Sequence, residues 1–147
     1  MAALLNRQAT FNYFIENKFE AGLQLVGTEV KSLREGKASF NDAYCLVEGG
    51  EIWIQSLHIA PYSHGTHSNH DPIRTRKLLL QKREIKKIES QLKEKGFTLI
   101  PLKIFFAANG FAKIEIGLAK GKKQADKRES LKKKQADREM KKDQYED

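Results

Sequence analysis

A chain of 147 residues fits one domain with a short appendage, and 27 Lys and Arg against 19 Asp and Glu leave a net charge of +8. That charge draws it to polyanions, meaning nucleic acid or an anionic membrane surface. No apolar run reaches the ~18 residues of a membrane span, and Met1 to Leu5 is too short for a signal-peptide core, so the chain is expected to be cytoplasmic with no membrane partner.

From the N-terminus, residues 11 to 26 alternate at period two. Phe11, Tyr13 and Ile15 share one face, and Leu23 and Leu25 resume the pattern after Ala21-Gly22, which predicts two strands. Gly27 to Gly36 reads as a short helix, with Thr28 as its cap, Val30 and Leu33 on its apolar side and Gly36 as its left-handed stop. Tyr44 to Val47, Gly49-Gly50 and Ile52 to Ile54 predict a hairpin, because paired glycines supply the positive φ of a tight turn. Cys45, within it, is the only cysteine, which excludes an internal disulfide and a multi-thiolate zinc site and marks a buried small apolar residue.

Between Leu57 and Ile73 the periodicity vanishes, in a stretch holding Pro61, Gly65, Pro72 and all four histidines, so this is expected to be a loop. Ile85, Ile88 and Leu92 predict a helix over 81 to 95, stopped by Gly96, while Leu78-Leu79-Leu80 reads equally as buried strand or early helix. Ile104 to Phe106, Asn109-Gly110 and Ile114, Ile116 and Leu118 predict a second hairpin, its start placed by Pro101 at an edge or a bulge.

Beyond Leu118 the character changes. Residues 119 to 147 hold 11 Lys and Arg against 7 acids, with Leu131, Met140 and Tyr145 as the only large apolar residues, so a body over 1–118 and a basic tail over 119–147 are expected. Lys122-Lys123-Gln124-Ala125-Asp126 recurs eleven positions later as Lys133-Lys134-Gln135-Ala136-Asp137. Eleven residues make about three helical turns, so the lysine pairs share a face, and Glu129–Lys133 and Asp137–Lys141 are favourable i,i+4 pairs. The tail is therefore expected to be disordered when free and helical on RNA.

For chemistry, His64, His67 and His70 with Asp71 offer nitrogen and oxygen donors to a metal-dependent hydrolase. A polar loop with solvated or backbone-bonded imidazoles is the preferred reading, because no regular element preorganises the ligands. No metal or other cofactor is expected. Gly117 to Lys123 has neither the glycine spacing nor the Ser or Thr of a phosphate loop, and no catalytic motif appears, so the chain is read as a binding protein and not an enzyme. Residues 74 to 95 carry nine Lys and Arg against three Glu, among them Arg74, Arg76 and Lys77. Taken alone this is a solvated helix face, but with a second basic segment in the tail it points to an extended polyanion. A β-rich body with basic surface and aromatics such as Tyr13 and Tyr62 fits an oligonucleotide-binding barrel, where rings stack on bases and lysines follow phosphates.

Seven blocks then occur in one order: Asn6-Arg7; Tyr13 to Glu16; Phe19 to Leu23; Gly27 to Arg34; Asn69-His70-Asp71-Pro72; Arg74 to Leu80; and Ala119 to Lys123 followed by Asp126 to Glu129. In these the chain resembles the SsrA-binding (small protein B) family from Leu5 to about Glu139. The resemblance implies a mainly β fold, a closed oligonucleotide-binding-type barrel with about three flanking helices, and no catalytic centre. It also implies binding to the transfer-RNA-like domain of transfer-messenger RNA and delivery of that RNA to the A site of a stalled ribosome. Elongation factor Tu and alanyl-tRNA synthetase would be partners through the RNA. Asn6, Tyr13, Glu20 and Leu79 would belong to the RNA surface. Lys120, Lys122, Lys123, Asp126, Lys127, Arg128, Lys133 and Lys134 would belong to a tail entering the empty messenger channel near the decoding centre. The family often has His or an aromatic before Asp126; Ala125 here removes any stacking from that position. A generic single-strand RNA-binding or ribosomal protein of the same barrel type is the alternative.

Overall fold

The computed structural model describes residues 3–64, 69–94 and 96–122. Nine strands and three helices follow one another among them: β1 (Leu4–Leu5), α1 (Arg7–Asn12), β2 (Tyr13–Leu23), α2 (Gly27–Arg34), β3 (Ala38–Ser39), β4 (Tyr44–Glu48), β5 (Glu51–Gln55), β6 (His58–Ile59), β7 (Arg76–Leu79), α3 (Lys82–Leu92), β8 (Phe97–Phe106) and β9 (Ala112–Gly121). Seven strands form one sheet in the order β1-β8-β4-β5-β7-β2-β9, and β8 also pairs with β9, so the ladder returns on itself. Every pairing is antiparallel.

Alternation fixes what this ring encloses, since successive strand side chains point to opposite faces. Ile52 and Ile54 of β5, Leu78 of β7, Leu99 and Ile104 of β8, and Ile114, Ile116 and Leu118 of β9 are all buried in one cluster, which Ile85 and Ile88 of α3 join. Full burial of each such side chain stabilises by about 1.5–3 kcal/mol. Cys45 of β4 lies in the same cluster, and burial pushes its thiol well above its ordinary range. A smaller cluster of Ala9, Ile100 and Ala119, with Tyr13, Ile15 and Leu102 against it, seats α1 on the sheet.

Both expected hairpins form. Gly49 and Gly50 take φ of 62° and 74° between β4 and β5, the left-handed pair that a two-residue turn needs. The β8–β9 hairpin is longer at both ends than its alternation indicated, and its ladder shifts register between Pro101 and Lys103, the irregularity expected from a proline without an N–H. Leu78-Leu79 is strand, and the third helix runs over 82–92, inside the expected 81–95.

Four expectations need correction. Residues 13–23 are one strand, not two broken at Ala21-Gly22, because pairing to β9 and β7 carries the backbone straight through the small residues. Phe11 belongs to α1, so its alternation with Tyr13 and Ile15 was accidental; β1 and α1 were not foreseen. Val26, not Thr28, precedes α2, and the Glu29 carboxylate accepts the Val26 N–H at 2.9 Å. The loop from 57 contains β6, which pairs with β3 as a second, two-stranded sheet. In addition, β9 continues through Ala119, Lys120 and Gly121, three residues past the expected end of the body at 118.

Candidate nucleic-acid interface

Three side chains of the expected RNA surface converge on one outer face. Gly22 of β2 lies opposite Leu79 of β7, and opposite residues of an antiparallel ladder project to the same side. Glu20 and Lys77, two residues from each, share that side. Leu79 is 51% exposed, and a Cβ on Gly22 would stand 3.3 Å from that of Leu79. Glycine at 22 therefore lets Leu79 lie flat beside it. Glu20 is exposed and pairs with Lys113 at 3.5 Å, while Lys77 reaches Glu51 at 3.7 Å. Across a cleft of about 420 Å³, α3 presents Lys82 and Lys86, with Ile85 at the floor. The surface is an apolar patch edged by ammonium groups and by the carboxylates of Glu20, Glu51 and Glu89, and a carboxylate can accept from a base amino group.

Asn6 and Tyr13 lie elsewhere. Asn6 donates its side-chain amide to Pro101 O and its backbone N–H to Leu102 O, both at 2.8 Å, so it fastens the start of α1 to β8. Tyr13 opens β2, seven residues before Glu20, which places the two roughly 20 Å apart along the strand. With Asn6, Gln8, Asn12, Asn41 and Thr98, Tyr13 lines a polar hollow of about 350 Å³.

Arg76 is a correction. It was expected on the RNA surface with Arg74 and Lys77, but it is wholly buried, its Nε bonded to the buried carboxylate of Glu29 and its Nη1 and Nη2 donating to Leu57 O at 2.6 Å and Pro72 O at 3.2 Å. Strand parity explains this: Arg76 shares the inward face of β7 with Leu78, whereas Lys77 and Leu79 face out. Arg74 also bonds Glu29, at 2.6 Å, and stays partly exposed. Burial alone would raise the Glu29 pKa, but the hydrogen bonds from Arg74, the Val26 N–H and Arg76 outweigh it and hold the carboxyl below its usual range. Asp71 adds a second negative charge near Arg76, so two carboxylates stand against the two guanidiniums. Nothing in the sequence flagged Glu29; its only local signal was a position three residues after the helix cap.

The histidine loop is structural where it is described. His70 Nε2 donates to Ile59 O and its Nδ1 hydrogen-bonds with the Thr28 hydroxyl, both at 2.8 Å, so both ring nitrogens are occupied. Asn69 bonds Tyr62 through both ends of its amide, at 2.9 and 3.0 Å. His64 packs its ring edge-on to Tyr62, His67 lies outside the described residues, and no group of three potential metal ligands occurs among those described.

Of the expected tail residues, Lys120 and Lys122 are described. Lys120 is the penultimate residue of β9, and the Lys122 N–H donates to Asn12 O at 2.9 Å. Lys123, Asp126, Lys127, Arg128, Lys133 and Lys134 lie outside the described residues. Two aromatic residues escaped the sequence reading: Phe14 of β2 and Phe97 of β8 both stand opposite Lys120, a relation only the paired strands reveal.

Comparison with known proteins finds relatives over nearly the whole chain. A family model described as SmpB protein matches residues 3–146. The chain is 55% identical to the SsrA-binding protein of Geobacter sulfurreducens over 135 residues, 92% of this chain and 88% of that protein. It is 56% identical to the SsrA-binding protein of Fervidobacterium nodosum over 136 residues, 92% and 91% of the two chains. Its fold is similar, with a TM-score of 0.71 and 46% identity, to a chain of the solved structure "tmRNA-SmpB: a journey to the center of the bacterial ribosome", covering 88% of this chain and 94% of that one. The chain belongs to the SmpB protein family.

Proposed function

We propose that this protein binds the transfer-RNA-like domain of transfer-messenger RNA and brings that RNA to the A site of stalled ribosomes. The observation that carries the reading is the likeness, over 88% of the chain, to a chain in a tmRNA–SmpB ribosome structure. The ring of strands acts as a closed oligonucleotide-binding-type barrel, a rigid body that displays side chains to a folded RNA. Leu79, Glu20 and Lys77, with Arg74 at the margin, contact the RNA. Asn6 holds α1 so that Tyr13 is presented beside it, and Arg76 acts indirectly by fixing Glu29 and Arg74. Residues 123–147 supply the cationic segment for the empty messenger channel. Elongation factor Tu and alanyl-tRNA synthetase are engaged through the RNA, and the protein works in the cytoplasm without making or breaking bonds itself.

RNA recovered with the purified protein from cells and sequenced tests this directly. Enrichment of transfer-messenger RNA over transfer RNA and ribosomal RNA is expected; an unselective RNA pool would favour a generic single-strand binder.

A further inference from the structure

We infer that Phe14, Lys120 and Phe97 form a stacking platform for an unpaired stretch of RNA, at the end of the sheet from which the basic segment continues. The inference deepens the RNA-binding reading above by naming the nucleotide class taken at a second place on the molecule, apart from the Leu79 face.

The platform follows from register. β2 sets Phe14 opposite Lys120, and β8 sets Phe97 opposite the same Lys120, so the three residues stand in one row on one face with Lys120 in the middle. That face carries Ile114, Ile116 and Leu118 into the core, and at Lys120 it comes out to solvent. Phe14 is 49% exposed. Neither ring is part of the two apolar clusters that hold the fold together. What covers them is charge: Lys120 Nζ lies 4.6 Å from the centre of the Phe97 ring and Lys122 Nζ 4.9 Å from that of Phe14. Lys122 Nζ also donates to Thr10 O at 2.9 Å, which keeps it at the platform's edge.

An ammonium over an exposed ring is a weak contact, weaker than a nucleobase stacked on that ring. A strand of RNA can therefore take the ring faces with its bases while the displaced ammonium groups move to its phosphates. Every base has a π face, so this recognition tolerates sequence but demands unpaired nucleotides; a duplex keeps its bases stacked on each other.

The test uses the full-length protein, a single-stranded oligoribonucleotide of about 12 residues carrying 5-iodouridine, the same RNA as a duplex, and a transcript of the transfer-RNA-like domain. Replacing both rings, Phe14→Leu with Phe97→Leu, keeps apolar bulk and removes π faces. Single-strand affinity is expected to fall about tenfold per ring, with duplex affinity unchanged, and Phe14→Tyr with Phe97→Tyr to restore it. Near-ultraviolet irradiation of the unaltered protein should cross-link iodouridine to the peptides containing Phe14 or Phe97, which keeps the inference open to refutation even if the leucine variant does not fold. Wild-type affinity in the leucine variant, or cross-links only to other peptides, would overturn it. Loss of single-strand binding in the leucine variant, from a wild-type protein that ignores the transcript, would leave the platform standing and refute the transfer-messenger reading instead.

Discussion

Glu29 and Arg76, 47 positions apart in the chain, form an ion pair from which both side chains are fully excluded from water. One partner comes from the first turn of α2 and the other from β7, so the pair ties the helix to the sheet beneath the partly exposed Arg74. Glu29→Ala leaves the Arg76 charge buried without its partner, and the expected loss of stability is about 3–5 kcal/mol. Arg74→Ala, at a partly exposed site, should cost no more than about 1 kcal/mol. Urea denaturation of the two variants checks the ranking, and equal losses would refute it.

The same carboxylate makes stability depend on pH in a definite direction. Its folded pKa lies below the ordinary value of 4.5, so the folded state binds the proton less tightly than the unfolded one. The contribution is fully present above the unfolded value and is lost as pH falls below 4.5 and through the folded pKa. Denaturation midpoints from pH 7 to 3 should therefore decline less steeply in Glu29→Gln than in the parent. Parallel acid limbs would assign that proton uptake to other carboxylates.

On the outer face, Leu79→Ala and Glu20→Ala should separate binding from folding. Leu79 is half exposed and Glu20 holds only a surface pair with Lys113, so each change should move stability by less than about 1 kcal/mol. If the face binds RNA, Leu79→Ala weakens association with the transfer-RNA-like domain by about tenfold or more. Filter binding with parallel thermal melts distinguishes this from a structural role, in which the melt would shift and the affinity would not.

Two truncations differ by only four residues in their end point. A chain ending at Lys122 keeps every described element and should fold at nearly full stability, retain much of its RNA affinity and lose peptide tagging on stalled ribosomes. A chain ending at Leu118 loses the fully buried Ala119 and the rungs joining Ala119 to Gly121 with β2 and β8, so its melting temperature should fall by several degrees. Calorimetry on both, beside a tagging assay, tests the division between body and tail; normal tagging by the Lys122 form would refute it.

What the sequence disclosed was local. Gly49-Gly50 and Asn109-Gly110 announced their hairpins because turn chemistry lies within a few residues, and Ile85, Ile88 and Leu92 announced α3 through their spacing. What it concealed depended on partners far along the chain. Arg76 resembled any other member of a basic run until the parity of β7 turned it inward onto Glu29, and Ala21-Gly22 resembled a break until β9 and β7 were in place to bridge it. Of the expected site, Glu20, Lys77 and Leu79 share a face, whereas Asn6 and Tyr13 stand at the other end of β2.

The closure of the ring has a consequence during synthesis. The long strand β2 is among the first segments made, and its principal partner, β9, is the last made of the described strands. Until residues 112–121 emerge, the hydrogen-bonding edges of β2 and β8 face no neighbour along most of their length, and long-range pairing of this kind is slow to form and open to wrong partners. A chain released before residue 112 would carry two bare strand edges and an uncovered Ile- and Leu-rich face, a fragment fit for aggregation or proteolysis. The ring thus closes only once translation has passed residue 121.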